Sequence, residues 1–304
     1  MNTKFQAHLG LLCTNLFFAI NLSAVKYLTA NHFMEPFGMN LIRVGISAVL
    51  FWAIYLVKPS AKKIQRKDMP RFLFCALTGI AINQMLFLKG LSLSYSIHAA
   101  LLMLTTPILI TFIAAWLLKE MINWYKIVGL GLGVSGAVIL ITARQPTGTG
   151  SQVFLGDMLI LINAVAYTIY FVIVKPLMLT YNPVQVIRWV FTYGFFMVLP
   201  FGWTEFSAIN WGTFGAIEFL CISLIVFGGT FLAYLFNANG IKILGASVAG
   251  TYIYLQPVFA TVIAMIFLKE ELEGYKIMAA IAIFSGVYLC NRKTTLTGTK
   301  ESQV

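Results

Sequence analysis

Charged side chains are few inside the apolar stretches of this chain, and Lys26, Arg43, Lys175, Arg188 and Glu218 stand out. A charge at the centre of a membrane helix costs about 2.5–3.5 kcal/mol on insertion scales, so each needs a reason. All five lie near the ends of their stretches. Snorkelling to the headgroups or structural pairing is one reason. The other is that Lys26 and Lys175 face a central cleft and attract carboxylate or phosphate groups. Neutral polar residues interrupt the same stretches: Asn15, Asn21 and Ser23; Asn83 and Gln84; His98, Thr105 and Thr106; Asn163, Tyr167 and Tyr170; Tyr234 and Asn237; Tyr252, Tyr254 and Gln256. Singly, each serves as well to bond a neighbouring helix. Together they outline a polar, aromatic path on six separate stretches. Asn21, Lys26, Asn83, His98, Tyr167, Tyr170, Lys175, Tyr234, Tyr252 and Gln256 are the expected substrate contacts.

Several chemistries lack their residues. His8, His32 and His98 are far apart, and Cys13, Cys75, Cys221 and Cys290 form no CxxC pair, so no metal site is expected. No GxxxxGK[ST] or HExxH occurs. Gly129, Gly131, Gly133 and Gly136 spell GxGxxG within an apolar run, where small residues allow close helix approach instead of dinucleotide binding. No cofactor is expected. None of the ten acidic residues sits securely at a membrane midplane. Transport driven by a carboxylate proton relay is therefore not expected, and facilitated diffusion or exchange is. His98, without a visible carboxylate partner, is the one plausible titrating exception.

The elements that position these residues are membrane spans. Hydrophobic residues make up 60% of 304 positions and charged residues 10%, against about 45–50% and about 25% in soluble domains. Ten runs are long enough to span: roughly 7–27, 35–57, 71–89, 95–118, 124–142, 156–174, 184–203, 216–237, 245–268 and 274–291. Continuous apolar runs exclude a barrel of alternating strands. The net charge of +11 is concentrated in Lys58, Lys62, Lys63, Arg66, Lys67 and Arg71, and again after the last run. That pattern is a positive-inside signal, not a nucleic-acid surface, and puts both termini in the cytoplasm. The first run is read as an uncleaved span. The lipid bilayer and a small molecule are the expected partners; nothing in the sequence sets the oligomeric state.

The chain repeats itself. Residues 107–127 and 257–277 are identical at ten of twenty-one positions at a shift of 150. At the same shift Gly79, Gly90 and Gly136 meet Gly229, Gly240 and Gly286. At 149 Lys26 meets Lys175, and at 145 Arg43 meets Arg188. Each half has five spans, an odd number, so the second half is inverted. The expected layout is an all-α membrane protein of ten transmembrane helices in two inverted five-helix repeats: 1–144, an external linker 145–155, 156–292, and a cytoplasmic tail 293–304. Pro107 and Pro257 fall mid-span, as packing kinks or as bends beside the substrate path. Glu120 and Glu270 end matched Leu-Lys-Glu motifs. A carboxylate there opposes its own helix dipole, and an ion pair to the lysine across the tight turn is the expected reason. Arg43 and Arg188 are expected to be structural too.

Ten spans in two halves, each with Lys then Arg, a mid-span Pro and Leu-Lys-Glu, resemble the EamA family of drug/metabolite transporters. The motif positions are Pro107, Glu120 and Gly136 with Pro257, Glu270 and Gly286, and Arg43 and Arg188 match the family's arginine early in the second helix of each half. The resemblance implies export of small metabolites, notably amino acids, through a central cavity open to one side at a time, in a bacterial inner membrane. His98 departs from the small or amide residue expected there, and Lys119 and Lys269 replace a frequent glycine. The rival readings are an integral-membrane enzyme and a non-transporting scaffold.

Overall fold

A computed structural model describes residues 3–57, 64–106, 109, 124–142, 150–244, 252 and 255–291. Every regular element among them is helical. In order they are α1 (Thr3–Ala30), α2 (Pro36–Val57), α3, α4 (Ser96–Met103), α5 (Trp124–Thr142), α6 (Gly150–Thr180), α7 (Pro183–Ser207), α8, α9 and α10 (Gly274–Asn291). α3 runs through Met69–Ala76, Leu77–Ile82 and Asn83–Leu93; α8 through Ala216–Ser223, Leu224–Leu232 and Ala233–Leu244; α9 through Gln256–Ile263 and Ala264–Leu268. Six of these helices, α1, α2, α3, α6, α7 and α8, are long and apolar enough to cross a membrane. Large apolar side chains such as Val49, Phe196, Ile266 and Ile281 are exposed around the outside. Water does not tolerate such a surface over a wide area, whereas lipid does.

α2 packs on α7, α5 on α10, α3 on α6 and α1 on α8 and α9. Glycines set the closest approaches. A methyl group on Gly79 would stand 2.4 Å from the Tyr170 ring, and one on Gly229 would stand 2.6 Å from Asn21. Gly79 and Gly229 are 150 apart, and Asn21 and Tyr170 are 149 apart, so the two contacts correspond. The same holds for Gly136 on Ile283 and Gly286 on Gly133. Gly129, Gly133 and Gly136 of the GxGxxG run therefore serve the seam of α5 with α10, while Gly131 faces open space. Gly79 and Gly229 each lie in a π-helical stretch, Leu77–Ile82 or Leu224–Leu232. Such wider turns loosen the backbone ladder and recur at functional positions.

Apolar burial divides into two clusters. One joins Leu22, Val25 and Leu28 of α1 to Leu88, Leu91, Ile97, Ala260 and Ile283. The other joins Phe51 of α2 to Phe72, Ile80, Tyr170, Val174 and Phe191. Along α3, Asn83 and Gln84 fall between the stretches used by the two clusters. Along α6, Asn163 and Tyr167 fall between Ile160 and Tyr170. The polar residues thus occupy the seam between two apolar masses.

Candidate functional site

The seam gathers around one stretch of α8. Arg43 Nε donates to Thr230 Oγ1 at 3.1 Å, and Thr230 in turn donates to the Ile225 carbonyl. Tyr234, on the same side of α8, receives a long contact from Gln84 Nε2 at 3.5 Å, and its ring meets Phe18 and Phe191 edge-on. The rings of Tyr167 and Tyr170 lie 5.9 Å apart, tilted by 36°, and neighbour Tyr234. Asn21 rests on Gly229. Buried polar atoms here are left without partners: Asn21 Oδ1, Gln84 Oε1 and Arg43 Nη1. Native proteins satisfy nearly all such atoms, so a cluster of orphans calls for an occupant.

α2 carries more of this polarity than the sequence analysis singled out. Asn40 and Ser47 lie three residues before and four after Arg43, on the same helix face. Both are fully buried, and Asn40 Nδ2 and Oδ1 and Ser47 Oγ lack partners. The spacing around Arg43 is the signal that marks them.

Of the remaining expected contacts, Asn83, Tyr252 and Lys26 have partners away from this cluster. Asn83 and Asn163 each donate to the other's backbone carbonyl, at 3.5 and 2.6 Å, and so tie α3 to α6. Tyr252 meets His8 Nδ1 at 2.7 Å, at the opposite end from the α3–α4 junction. Gln256 is buried at the start of α9. Lys175 lies in α6, with its side chain outside the described atoms. Lys26 donates to three carbonyls of the α3–α4 junction, Leu91, Ser92 and Ser94, at 3.4, 3.1 and 2.5 Å. Its ammonium is held by backbone and is not directed at the seam.

His98 is not isolated. Its Nδ1 lies 2.9 Å from Asp157 Oδ2, its Nε2 lies 3.2 Å from the Tyr275 hydroxyl, and Asp157 Oδ1 accepts from Ser94 Oγ. Both His98 and Asp157 are 0% exposed. This corrects the expectation of a histidine without a carboxylate partner. Asp157 is 59 residues away and enters on the first turns of α6, where sequence position suggested a membrane surface. The trio has the residues of a hydrolase triad but not the geometry. In a triad the histidine's second nitrogen faces the serine; here it faces Tyr275, and serine and histidine share one carboxylate. The arrangement clamps α4, α6, α10 and the α3–α4 junction together.

Glu270 is also corrected. Its two oxygens accept from Ser96 N at 2.8 Å and Ile97 N at 3.1 Å, capping α4. The lysine of the turn, Lys276, pairs instead with Glu273 at 3.6 Å and donates to the Glu271 carbonyl. A carboxylate at the end of one helix is thereby placed at the N-terminus of another, where the dipole favours it. Glu205 does the same for α2 through Phe37 N and Gly38 N. Pro257 falls in the first turn of the helix Gln256–Ile263, where its missing N–H is harmless. Arg188 is stacked between aromatic rings, 4.3 Å from Trp52 and 3.7 Å from Tyr55. Pro107 and Glu120 lie outside the described residues.

An apolar-coated helical protein with a buried polar seam is a multi-pass membrane protein of the transporter class. The chain belongs to the EamA-like transporter family, whose profile matches residues 6–142 and 154–292. It is 24% identical to the uncharacterized transporter YetK of Bacillus subtilis over 80% of this chain and 74% of that protein. It is 26% identical to a probable terminal-alkyne amino-acid exporter of Streptantibioticus cattleyicolor over 84% of each. A solved crystal structure shares the fold at a TM-score of 0.64 with 18% identity, over 98% of this chain and 99% of that one.

Proposed function

We propose that the protein is a secondary transporter that exports small metabolites, amino acids among them, by alternating access. The substrate path runs through the seam between two inverted five-helix repeats, 1–144 and 156–292. The single observation that carries this reading is the set of orphaned polar atoms on α1, α2 and α3 that converge on Gly229–Tyr234 of α8. A scaffold has no need to bury unsatisfied polar groups at the meeting of four helices. Corresponding contacts at shifts of 149 and 150 support the repeat, and repeats with a binding site between them are a recurrent transporter design. The amino-acid exporter from Streptantibioticus cattleyicolor supports the substrate class and the direction.

In this reading the membrane is a bacterial inner membrane and both termini are cytoplasmic, so the α3–α4 junction faces outward. The His98–Asp157 clamp then closes the outer end. Asn21, Gln84, Tyr167, Tyr170, Tyr234 and Arg43 face the substrate. A metabolite survey of the medium tests the proposal: cells that overproduce the protein should release at least one small metabolite faster than cells lacking it. Equal release, together with no flux above empty vesicles in liposomes, would leave the scaffold or enzyme reading in its place.

A further inference from the structure

We propose that Asn40, Arg43 and Ser47 of α2 form an oxyanion site, and that the substrate's obligatory group is a single carboxylate. This rests on the transporter reading above. The three residues share one helix face, and their side chains are 0%, 5% and 0% exposed. Arg43 spends its Nε on Thr230, while Nη1 has no partner. No carboxylate among the described residues lies within ion-pair distance of it; the ion pairs there are His98–Asp157 and Lys276–Glu273. A buried cation without a counter-charge is strongly unfavourable unless something anionic completes it. Asn40 and Ser47 add a fixed amide and a hydroxyl beside it, both able to donate to an oxyanion.

Of the other cations inside the spans, Lys26 and Arg188 are described and have neighbours of a different kind, although Arg188 Nε has no hydrogen-bond partner. Arg188, which matches Arg43 at a shift of 145, is stacked on Trp52, Tyr55 and Trp189. Lys26 is surrounded by three carbonyls. One open guanidinium edge balances one negative charge. A carboxylate fits that count, and its two oxygens match the planar guanidinium edge. Inorganic phosphate, which is partly dianionic at neutral pH, would in that form ask for a second cation. The aromatic rings of Tyr167, Tyr170 and Tyr234 remain for the body of the substrate.

Two measurements on the full-length protein in detergent test the assignment. In the absence of ligand, Arg43→Met should raise the unfolding midpoint by about 2–4 °C, because it removes an uncompensated buried charge while Thr230 keeps its bond to Ile225. A fall of several degrees would mean that Arg43 is a structural group and overturn the site. The second measurement is binding, by midpoint shift, of matched probes: phenylacetate against phenylacetamide, pyruvate against pyruvamide, L-phenylalanine against phenethylamine, and inorganic phosphate. At least one carboxylate should stabilise the wild type, its partner should not, and phosphate should be weaker. Arg43→Gln should weaken that carboxylate about tenfold or more, with Arg43→Lys in between. A wild type indifferent to every carboxylate, equally responsive to a neutral partner, or favouring phosphate overturns the inference. Flux of any solute through wild-type liposomes without charge preference would sink this site alone and leave the carrier standing.

Discussion

Removal of the Asp157 carboxylate should unlock the junction of α3, α4, α6 and α10. Asp157 Oδ1 takes the Ser94 hydroxyl and Oδ2 faces His98 Nδ1 at 2.9 Å, in a site with no solvent contact. Asp157→Ala leaves both groups without partners. Each orphan costs about 1–3 kcal/mol, and breaking a buried pair costs about 3–5 kcal/mol in all. At about 2–4 °C per kcal/mol, the unfolding midpoint should fall by roughly 6–20 °C. Asp157→Asn should do much less harm. Its oxygen still accepts from Ser94. Its amide donates to His98 Nδ1 once the ring proton resides on Nε2, which then donates to the Tyr275 hydroxyl, 3.2 Å away. Every bond is retained through a change of tautomer, so the loss should stay below about 1.5 kcal/mol. Fluorescence-detected unfolding in detergent measures both variants. A double-mutant cycle of Asp157→Ala with His98→Ala should give a coupling of about 1–3 kcal/mol. An Asp157→Ala protein within about 0.5 kcal/mol of wild type, or additive single changes, would refute the clamp.

Glu270→Ala should release Ser96 N and Ile97 N, lowering stability by about 0.5–2 kcal/mol and speeding amide exchange at the start of α4. Lys269 ends α9 at φ 54°, a left-handed conformation that suits glycine; Lys269→Gly should be neutral or stabilising by up to about 1 kcal/mol in thermal unfolding. The Tyr181 phenol, between α6 and α7, donates to Asp68 at 2.6 Å and accepts from Gln65 N. Burial and the Asp68 carboxylate push its pKa up. Its contribution is therefore whole below the ordinary tyrosine range and is lost as pH rises through the raised value. Amide exchange near Gln65 should accelerate in alkali for wild type but show no such pH dependence in Tyr181→Phe. For topology, a cysteine at Gly148 should react with an impermeant thiol reagent from outside intact cells and one at Ser60 should not; the reverse labelling would invert the orientation.

The helical membrane class was legible because lipid imposes long apolar runs, and six of the expected spans recur among the described helices; the matched glycines were legible because close helix contacts need small residues. Gly79 with Gly229 and Gly136 with Gly286 show this: the sequence pairs them, and the folded chain puts each against the partner's counterpart. The glutamates were harder. Glu270 is visible as a matched residue, but its partners are two backbone amides of another helix, and no spacing along the chain marks them. The His98–Asp157 pair was hidden for the same reason, since the two residues meet only when α4 crosses α6. Asn40 and Ser47 differ. Their spacing about Arg43 was readable, but two neutral residues in an apolar helix look like ordinary packing until their burial without partners is known.

The matched arginines carry the remaining argument. In an inverted pair the two halves can exchange conformations only to the extent that their contacts correspond, and the glycine contacts do correspond. The arginines do not. Arg188 has Trp52, Tyr55 and Trp189 around it, whereas Arg43 bonds Thr230 and leaves Nη1 without a partner. Asn21 and Tyr170 likewise occupy corresponding places with different chemistry, one an amide and the other a phenol ring. In the proposed carrier the corresponding glycine contacts would keep the symmetry that movement needs, while the unlike side chains would hold a substrate in one orientation. Arg43 bonds Thr230 one turn from Tyr234, so the charge and the aromatic rings adjoin in the same seam. On the carboxylate proposal, a substrate with an anionic end and an apolar body is the shape that such a seam would select.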